Sequence, residues 1–195
     1  FGVPGGSSQI YVRDLAANTT TLVSRADGAA GAAGTSNSLE PGISGDGNLV
    51  FGGSSNLLGS GTRTFGGAGT KTITGGSLGG AGTMVFNNLV WQAGSMGVST
   101  DPGGVTTVNG SATLGSGTKY VNYGRTLNLN GDTTWDTNGV LYIYGAGTGY
   151  GESVVNLAAG KTMSMAENAS SYDQFAGTGT FNNAGTITKS GTGIF

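Results

Sequence analysis

The sequence predicts an all-β fold, a Gly-rich β-solenoid preceded by a hairpin-like segment, on three observations. Glycine fills 41 of 195 positions, about three times its usual share. Short β-type words stand between the glycines, among them Lys71-Thr72-Ile73-Thr74, Thr126-Leu127-Asn128-Leu129-Asn130 and Val140-Leu141-Tyr142-Ile143-Tyr144. Helical periodicity is nearly absent; Ala166 to Asp173 has helical character for at most one or two turns. Glycine loses more backbone freedom on folding than any other residue, so a chain this rich in it needs a repeating architecture to offset the loss.

The texture divides the chain into residues 1–58 and 59–195. In the first part, Gln9-Ile10-Tyr11-Val12-Arg13-Asp14-Leu15 and Thr21-Leu22-Val23-Ser24-Arg25 read as two strands joined by a short polar turn at Asn18, a hairpin by spacing. A small-residue loop follows, and then Gly45-Asp46-Gly47 turns the chain into Leu49-Val50-Phe51. The words Ile10-Tyr11-Val12-Arg13-Asp14-Leu15, Thr20-Thr21-Leu22-Val23-Ser24, Pro41-Gly42-Ile43-Ser44-Gly45-Asp46-Gly47 and Leu49-Val50-Phe51 together resemble one repeat of a periplasmic and secreted β-propeller family. Only one such unit is present, whereas a propeller needs about four or more blades to close. The segment is therefore expected to act as a cap or as donated strands, since a lone blade leaves strand edges open.

From residue 59 onward one turn word recurs as Gly67-Ala68-Gly69-Thr70, Gly80-Ala81-Gly82-Thr83 and Ala176-Gly177-Thr178-Gly179-Thr180, and Phe86-Asn87-Asn88 returns as Phe181-Asn182-Asn183. Strands are expected to centre near residues 64, 73, 85, 90, 106, 113, 120, 128, 134, 142, 155, 163, 180 and 187. Two or three of them make a coil of roughly 20–25 residues, a stacked-repeat period. About six coils at ~4.8 Å each give a rod of roughly 30 Å. Gly and Asn suit its corners, where left-handed backbone angles are common.

The stretch from Phe175 to Gly193, reading FAGTGTFNNAGTITKSGTG, with Leu127-Asn128-Leu129-Asn130-Gly131-Asp132-Thr133-Thr134-Trp135 and Val154-Val155-Asn156-Leu157-Ala158-Ala159-Gly160-Lys161-Thr162-Met163, resembles the repeats of large bacterial secreted adhesins and autotransporter-like passengers. The resemblance spans roughly residues 80–195. It implies a right-handed parallel β-helix on a cell surface or in a secreted fibre. The start at Phe1-Gly2-Val3-Pro4 is expected to reflect loss of a secretion signal or pro-segment, the alternative being an arbitrary cut of a longer chain. The finish, Ser190-Gly191-Thr192-Gly193-Ile194-Phe195, shows no charged, Pro-rich or helical cap of the kind with which solenoids hide their last coil, and is expected to be either a truncation or a docking surface for the next subunit. Head-to-tail coil stacking or strand donation into a homopolymer is the expected assembly, with Ile10, Tyr11, Val12, Leu22, Val23, Ile194 and Phe195 as its interface.

Composition narrows the function. Charged residues make up 9% and hydrophobic residues 36%, so charge repulsion does not drive disorder. A net charge of −2 gives no electrostatic reason for a nucleic-acid partner. No apolar run reaches the ~18 residues of a membrane helix, so no membrane insertion is expected. Without cysteine or histidine there is no thiolate nucleophile, no Cys-type zinc site and no Ser-His-Asp triad. Asp132 and Asp136 flank Trp135, but four residues of strand put them roughly 13 Å apart, too far for a glycosidase pair. Asp27-Gly28 and Gly45-Asp46-Gly47 do not recur with the period of a calcium β-roll. No catalytic residue, metal or cofactor is assigned, and the chain is read as a non-enzyme.

The expected role is that of a secreted, cell-surface structural subunit. Two other classes stay open. An adhesin would bind surface glycans through Trp135, Tyr142 and Tyr144, although core or intersubunit packing suits the two tyrosines better. An ice-binding solenoid would use Thr62-x-Thr64, Thr70-x-Thr72-x-Thr74 and Thr186-x-Thr188, whose spacing is irregular and which Arg63 and Lys71 interrupt.

Overall fold

The computed structural model describes residues 11–14, 18–22, 42–43, 49–52, 56–58, 60–136, 138–144, 149–166, 168–174 and 179–191. The chain forms two compact units, Phe1–Pro41 and Gly42–Phe195. In the first, Tyr11–Asp14 and Thr19–Leu22 pair as an antiparallel hairpin, Tyr11 opposite Leu22 and Asp14 opposite Thr19. Asn18 enters the second strand at φ 52°, a conformation Asn tolerates better than most residues.

The second unit is a parallel β-solenoid of about six turns. Its first sheet stacks Leu49–Phe51, Lys71–Ile73, Leu89–Trp91, Ala112–Leu114, Thr133–Trp135, Thr162–Met165 and Thr186–Lys189. The short strand Gly42–Ile43 lies antiparallel outside Leu49–Phe51. The second sheet stacks Asn56–Leu57, Ser77–Leu78, Gly94–Met96, Thr118–Val121, Val140–Tyr144 and Ser170–Gln174. The third stacks Thr62–Phe65, Thr83–Phe86, Val105–Val108, Thr126–Leu129, Val154–Leu157 and Thr180–Asn183. Each coil visits the sheets in that order and then returns to the first.

The expected boundary at 58/59 therefore moves. Leu49–Phe51 and Asn56–Leu57, read from sequence as part of the blade-like segment, pair in parallel with Lys71–Ile73 and Ser77–Leu78 as the first coil. Their period-two pattern serves a solenoid rung as well as a propeller blade, so only the pairing partner distinguishes the two.

Alternation explains the core. In Thr83-Met84-Val85-Phe86 and Thr126-Leu127-Asn128-Leu129 the second and fourth side chains are buried and the others face out, as period two requires. Inward columns run along the solenoid: Phe65, Phe86, Val108, Leu129 and Leu157 in the third sheet, and Phe51, Ile73, Trp91, Leu114, Trp135 and Met165 in the first. Each Leu- or Phe-sized side chain so buried contributes about 1.5–3 kcal/mol. Phe65 stacks on Phe86 at 4.7 Å, and Phe51 meets Phe65 edge-on at 5.7 Å.

All fourteen expected strand centres fall in strands. The weak helix at 166–173 does not form: Asn168 turns at φ 61° and Ser170–Gln174 is a strand. Corners do use left-handed residues, with Asn138 also at φ 61° two residues before a second-sheet strand, as Asn168 is. The two Phe-Asn-Asn words are not equivalent. Phe86 aligns with Leu157 and Asn183, whereas Phe181 aligns with Val155, so the second copy is displaced by two residues along its strand. Gly131 marks a close approach of successive coils, because a Cβ there would run into the carbonyl oxygen of Gly110.

Candidate functional site

Among the described residues, the densest aromatic group lies on the outside of the second sheet. In Val140–Tyr144, Leu141 and Ile143 enter the core, which turns Tyr142 and Tyr144 outward. Of the core or intersubunit packing favoured for these tyrosines from sequence, the core positions are thus taken by their neighbours, because one strand offers each face to alternate residues. Tyr142 stacks on Tyr120 of the preceding coil with centroids 5.4 Å apart and planes 13° apart. Tyr144 leans on Tyr120 at 5.7 Å and on Tyr142 at 6.2 Å. Tyr123 and Tyr150 meet edge-on at 5.2 Å. Burial raises the Tyr144 phenol above its ordinary value, and neighbouring Tyr120, Tyr142 and Tyr123 raise it further.

This geometry limits what the tyrosines can offer a sugar. Stacking on a pyranose needs an uncovered ring face, and Tyr120 and Tyr142 each cover a face of the other. Trp135, the third candidate for glycan stacking, is corrected outright: it is 1% exposed and lies in the first sheet's inward column. Its indole N–H donates to the Gly139 carbonyl at 3.1 Å. The flanking carboxylates follow from period two, which sends Trp135 in and Asp136 towards solvent at the next position. Asp132 accepts a hydrogen bond from the Thr162 backbone N–H of the next coil at 2.9 Å.

Of the expected assembly residues, Tyr11, Val12 and Leu22 lie in the hairpin of the first unit. Ile10, Val23, Ile194 and Phe195 lie outside the described residues. At the last coil, Thr186–Lys189 pairs with Thr162–Met165 on one side only among the described residues. Phe181 and Ile187 there are only partly buried against the core.

Sequence reasoning missed a set of buried cations. Lys71 is 3% exposed, and its Nζ donates to the carbonyls of Gly67 at 3.3 Å and Gly69 at 2.6 Å. Lys119 is fully buried and repeats the arrangement, donating to Gly115 and to Gly117 at 2.5 Å. The signal is a five-residue word: Gly67-Ala68-Gly69-Thr70-Lys71 and Gly115-Ser116-Gly117-Thr118-Lys119 are both Gly-x-Gly-Thr-Lys. In Gly80-Ala81-Gly82-Thr83-Met84 the lysine is replaced by Met, and buried Arg125 donates to the Gly80 carbonyl instead, at 2.7 Å. Arg125 also reaches Val105 at 2.9 Å and the Thr106 hydroxyl at 3.0 Å.

Tight Gly turns direct several carbonyls to one point, and a cation placed there satisfies them. Burial lowers the Lys119 pKa from 10.5 to about 8, with nearby Asp136 opposing the shift. Burial likewise lowers Arg125 to about 10, against the pull of Asp101. These groups are structural fasteners of the corners, donating to backbone carbonyls and, from Arg125, to the Thr106 hydroxyl as well. Comparison of the chain with protein-family models, with curated proteins and with solved structures finds no match.

Proposed function

We propose that this chain is a structural subunit of an extracellular or cell-surface bacterial filament, lengthened by strand donation into the first sheet of the solenoid. The observation that carries the reading is the last described strand of that sheet, Thr186–Lys189, whose second edge has no partner among the described residues. Such an edge is a template for another chain. The partly buried Ile187 within that strand would gain cover from an added rung.

Strand donation suits these ends better than blunt head-to-tail stacking. The first sheet has one more parallel rung than the other two, and Gly42–Ile43 closes its opposite end with an antiparallel strand. Butting one copy against another in full register would set Thr186–Lys189 of one against Leu49–Phe51 of the next at the same level. A single donated strand meets no such conflict. The hairpin of a second copy supplies a donor, since Tyr11–Asp14 and Thr19–Leu22 each pair on one side only among the described residues. The adhesin-like words support an extracellular setting.

Sedimentation velocity over a concentration series tests the proposal. Thr186 and Ser190 donate their backbone N–H groups to the inner neighbour, to Lys161 and Met165. Alternation therefore directs the N–H of Ile187 to the open edge. Ile187→Pro removes that donor and leaves the inner ladder intact. Wild type should grow in mass with concentration and Ile187→Pro should stay monomeric; a wild type that remains monomeric throughout refutes strand donation.

A further inference from the structure

The third sheet carries a second, independent feature on its outer face. All five pairings between its six strands keep a four-residue register with no bulge. Two outward ranks result. One reads Thr62, Thr83, Val105, Thr126, Val154, Thr180, and the other Thr64, Val85, Thr107, Asn128, Asn156, Asn182. None of the twelve side chains is charged. The residues that break the Thr-x-Thr words in the sequence do not break this face: Arg63 shares the inward register of Met84 and Leu127, and Lys71 is buried in another sheet.

We infer that this face binds an ordered water lattice, the surface of an ice crystal. Neighbouring side chains sit ~4.8 Å apart along a rank and roughly 6.6 Å apart across the two ranks, spacings near the oxygen repeats of hexagonal ice. Thr and Val methyl groups order water around them, and each Thr hydroxyl can occupy a lattice position. The asparagines are held in place by one another. Asn182 donates to Asn156 at 2.8 Å, Asn156 to Asn128 at 2.7 Å, and Asn128 to Thr107 at 3.4 Å. Side-chain ladders of this kind hold a sheet in a fixed repeat. Charge complementarity selects the occupant: a charged group would impose its own hydration shell, and a neutral lattice meets a neutral face. Among the described residues, Glu152 accepts a hydrogen bond from the Thr180 hydroxyl at the end of its rank.

The other two faces are built differently. The second sheet carries stacked tyrosines, and the outward middle positions of the first form a single column, Val50, Thr72, Val90, Thr113, Thr134, Ser164 and Thr188, which is also uncharged and bonded from Thr113 to Thr134 and from Thr188 to Ser164 but has one rank in place of two. That column supplies a control. The full chain is assayed for thermal hysteresis and for coating of a growing ice hemisphere by fluorescently labelled protein. Thr107→Lys and Thr126→Lys place a charge mid-face, and Thr134→Lys places the same charge on the first sheet; circular dichroism confirms that each remains β-rich. Wild type and Thr134→Lys should show hysteresis and coat ice, while Thr107→Lys and Thr126→Lys fall to buffer level. If one mid-face variant fails to fold, the other carries the comparison. Folded wild type that neither coats ice nor shows hysteresis overturns the inference. So does an equal loss in Thr134→Lys, or a third face that serves only to pair two copies.

Discussion

Lys119 shows how a single side chain makes a corner possible and leaves a thermodynamic trace. Its ammonium is buried beneath the carbonyls of Gly115 and Gly117, and burial brings its pKa down to about 8 from 10.5. Over that interval the unfolded chain keeps a proton that the folded chain has released, so stability rises with pH. The rise approaches about 3 kcal/mol across the whole interval at 1.36 kcal/mol per unit, and below about pH 8 the contribution is constant. Urea unfolding between pH 8 and 10 should show the gain in wild type and a nearly flat profile in Lys119→Met. Above pH 10 the raised Tyr144 phenol acts with the opposite sign, because the unfolded chain then loses its proton first. Lys119 was not read from the sequence although its word, Gly-x-Gly-Thr-Lys, stands there: lysine is almost never fully buried unless it is partnered, and the partners are main-chain carbonyls that leave no mark in composition. Trp135 misled for the converse reason. Its carboxylate neighbours suggest a wet site, and the alternation of one strand separates them from it.

At the scale of the strand, cross-coil ladders hold the register. Asn156 makes two amide bonds and Asn182 makes one, at about 1 kcal/mol net for each bond. Asn156→Ala should therefore destabilise by roughly 1–2 kcal/mol and Asn182→Ala by about half as much, read from urea midpoints. Equal losses would mean that the bonds do not act along the column. First- and third-sheet strands were readable from sequence because they carry alternating Thr, Val, Leu and Phe. The strands Ser77–Leu78, Gly94–Met96 and Ser170–Gln174 of the second sheet were not. Gly, Ser, Asp and Gln have little strand preference of their own, and these segments are strands because the rungs above and below complete their hydrogen bonds. The outward Thr, Val and Asn ranks were equally hidden. They run across coils at intervals set by corner length, 28 residues from Thr126 to Val154 but 21 from Thr62 to Thr83, so no fixed period exposes them.

For the whole molecule, the parallel solenoid was legible and its boundary was not. Short strands, Gly-rich corners and low charge all favour stacking, and local consistency of that kind specifies an architecture. The first coil was assigned to a blade because both folds use the same hairpin-like words, and only long-range pairing with Lys71–Ile73 decides between them. The proposed assembly depends on what meets the outer edge of Thr186–Lys189, which has no partner among the described residues. Hydrogen exchange at the amides of Ile187 and Lys189 in the full chain, followed as protein concentration rises, tests this most directly. An edge that receives a strand from another copy predicts fast exchange in dilute protein and protection approaching that of Thr162–Met165 in concentrated protein. Exchange that is fast at every concentration, or protected at every concentration, contradicts it.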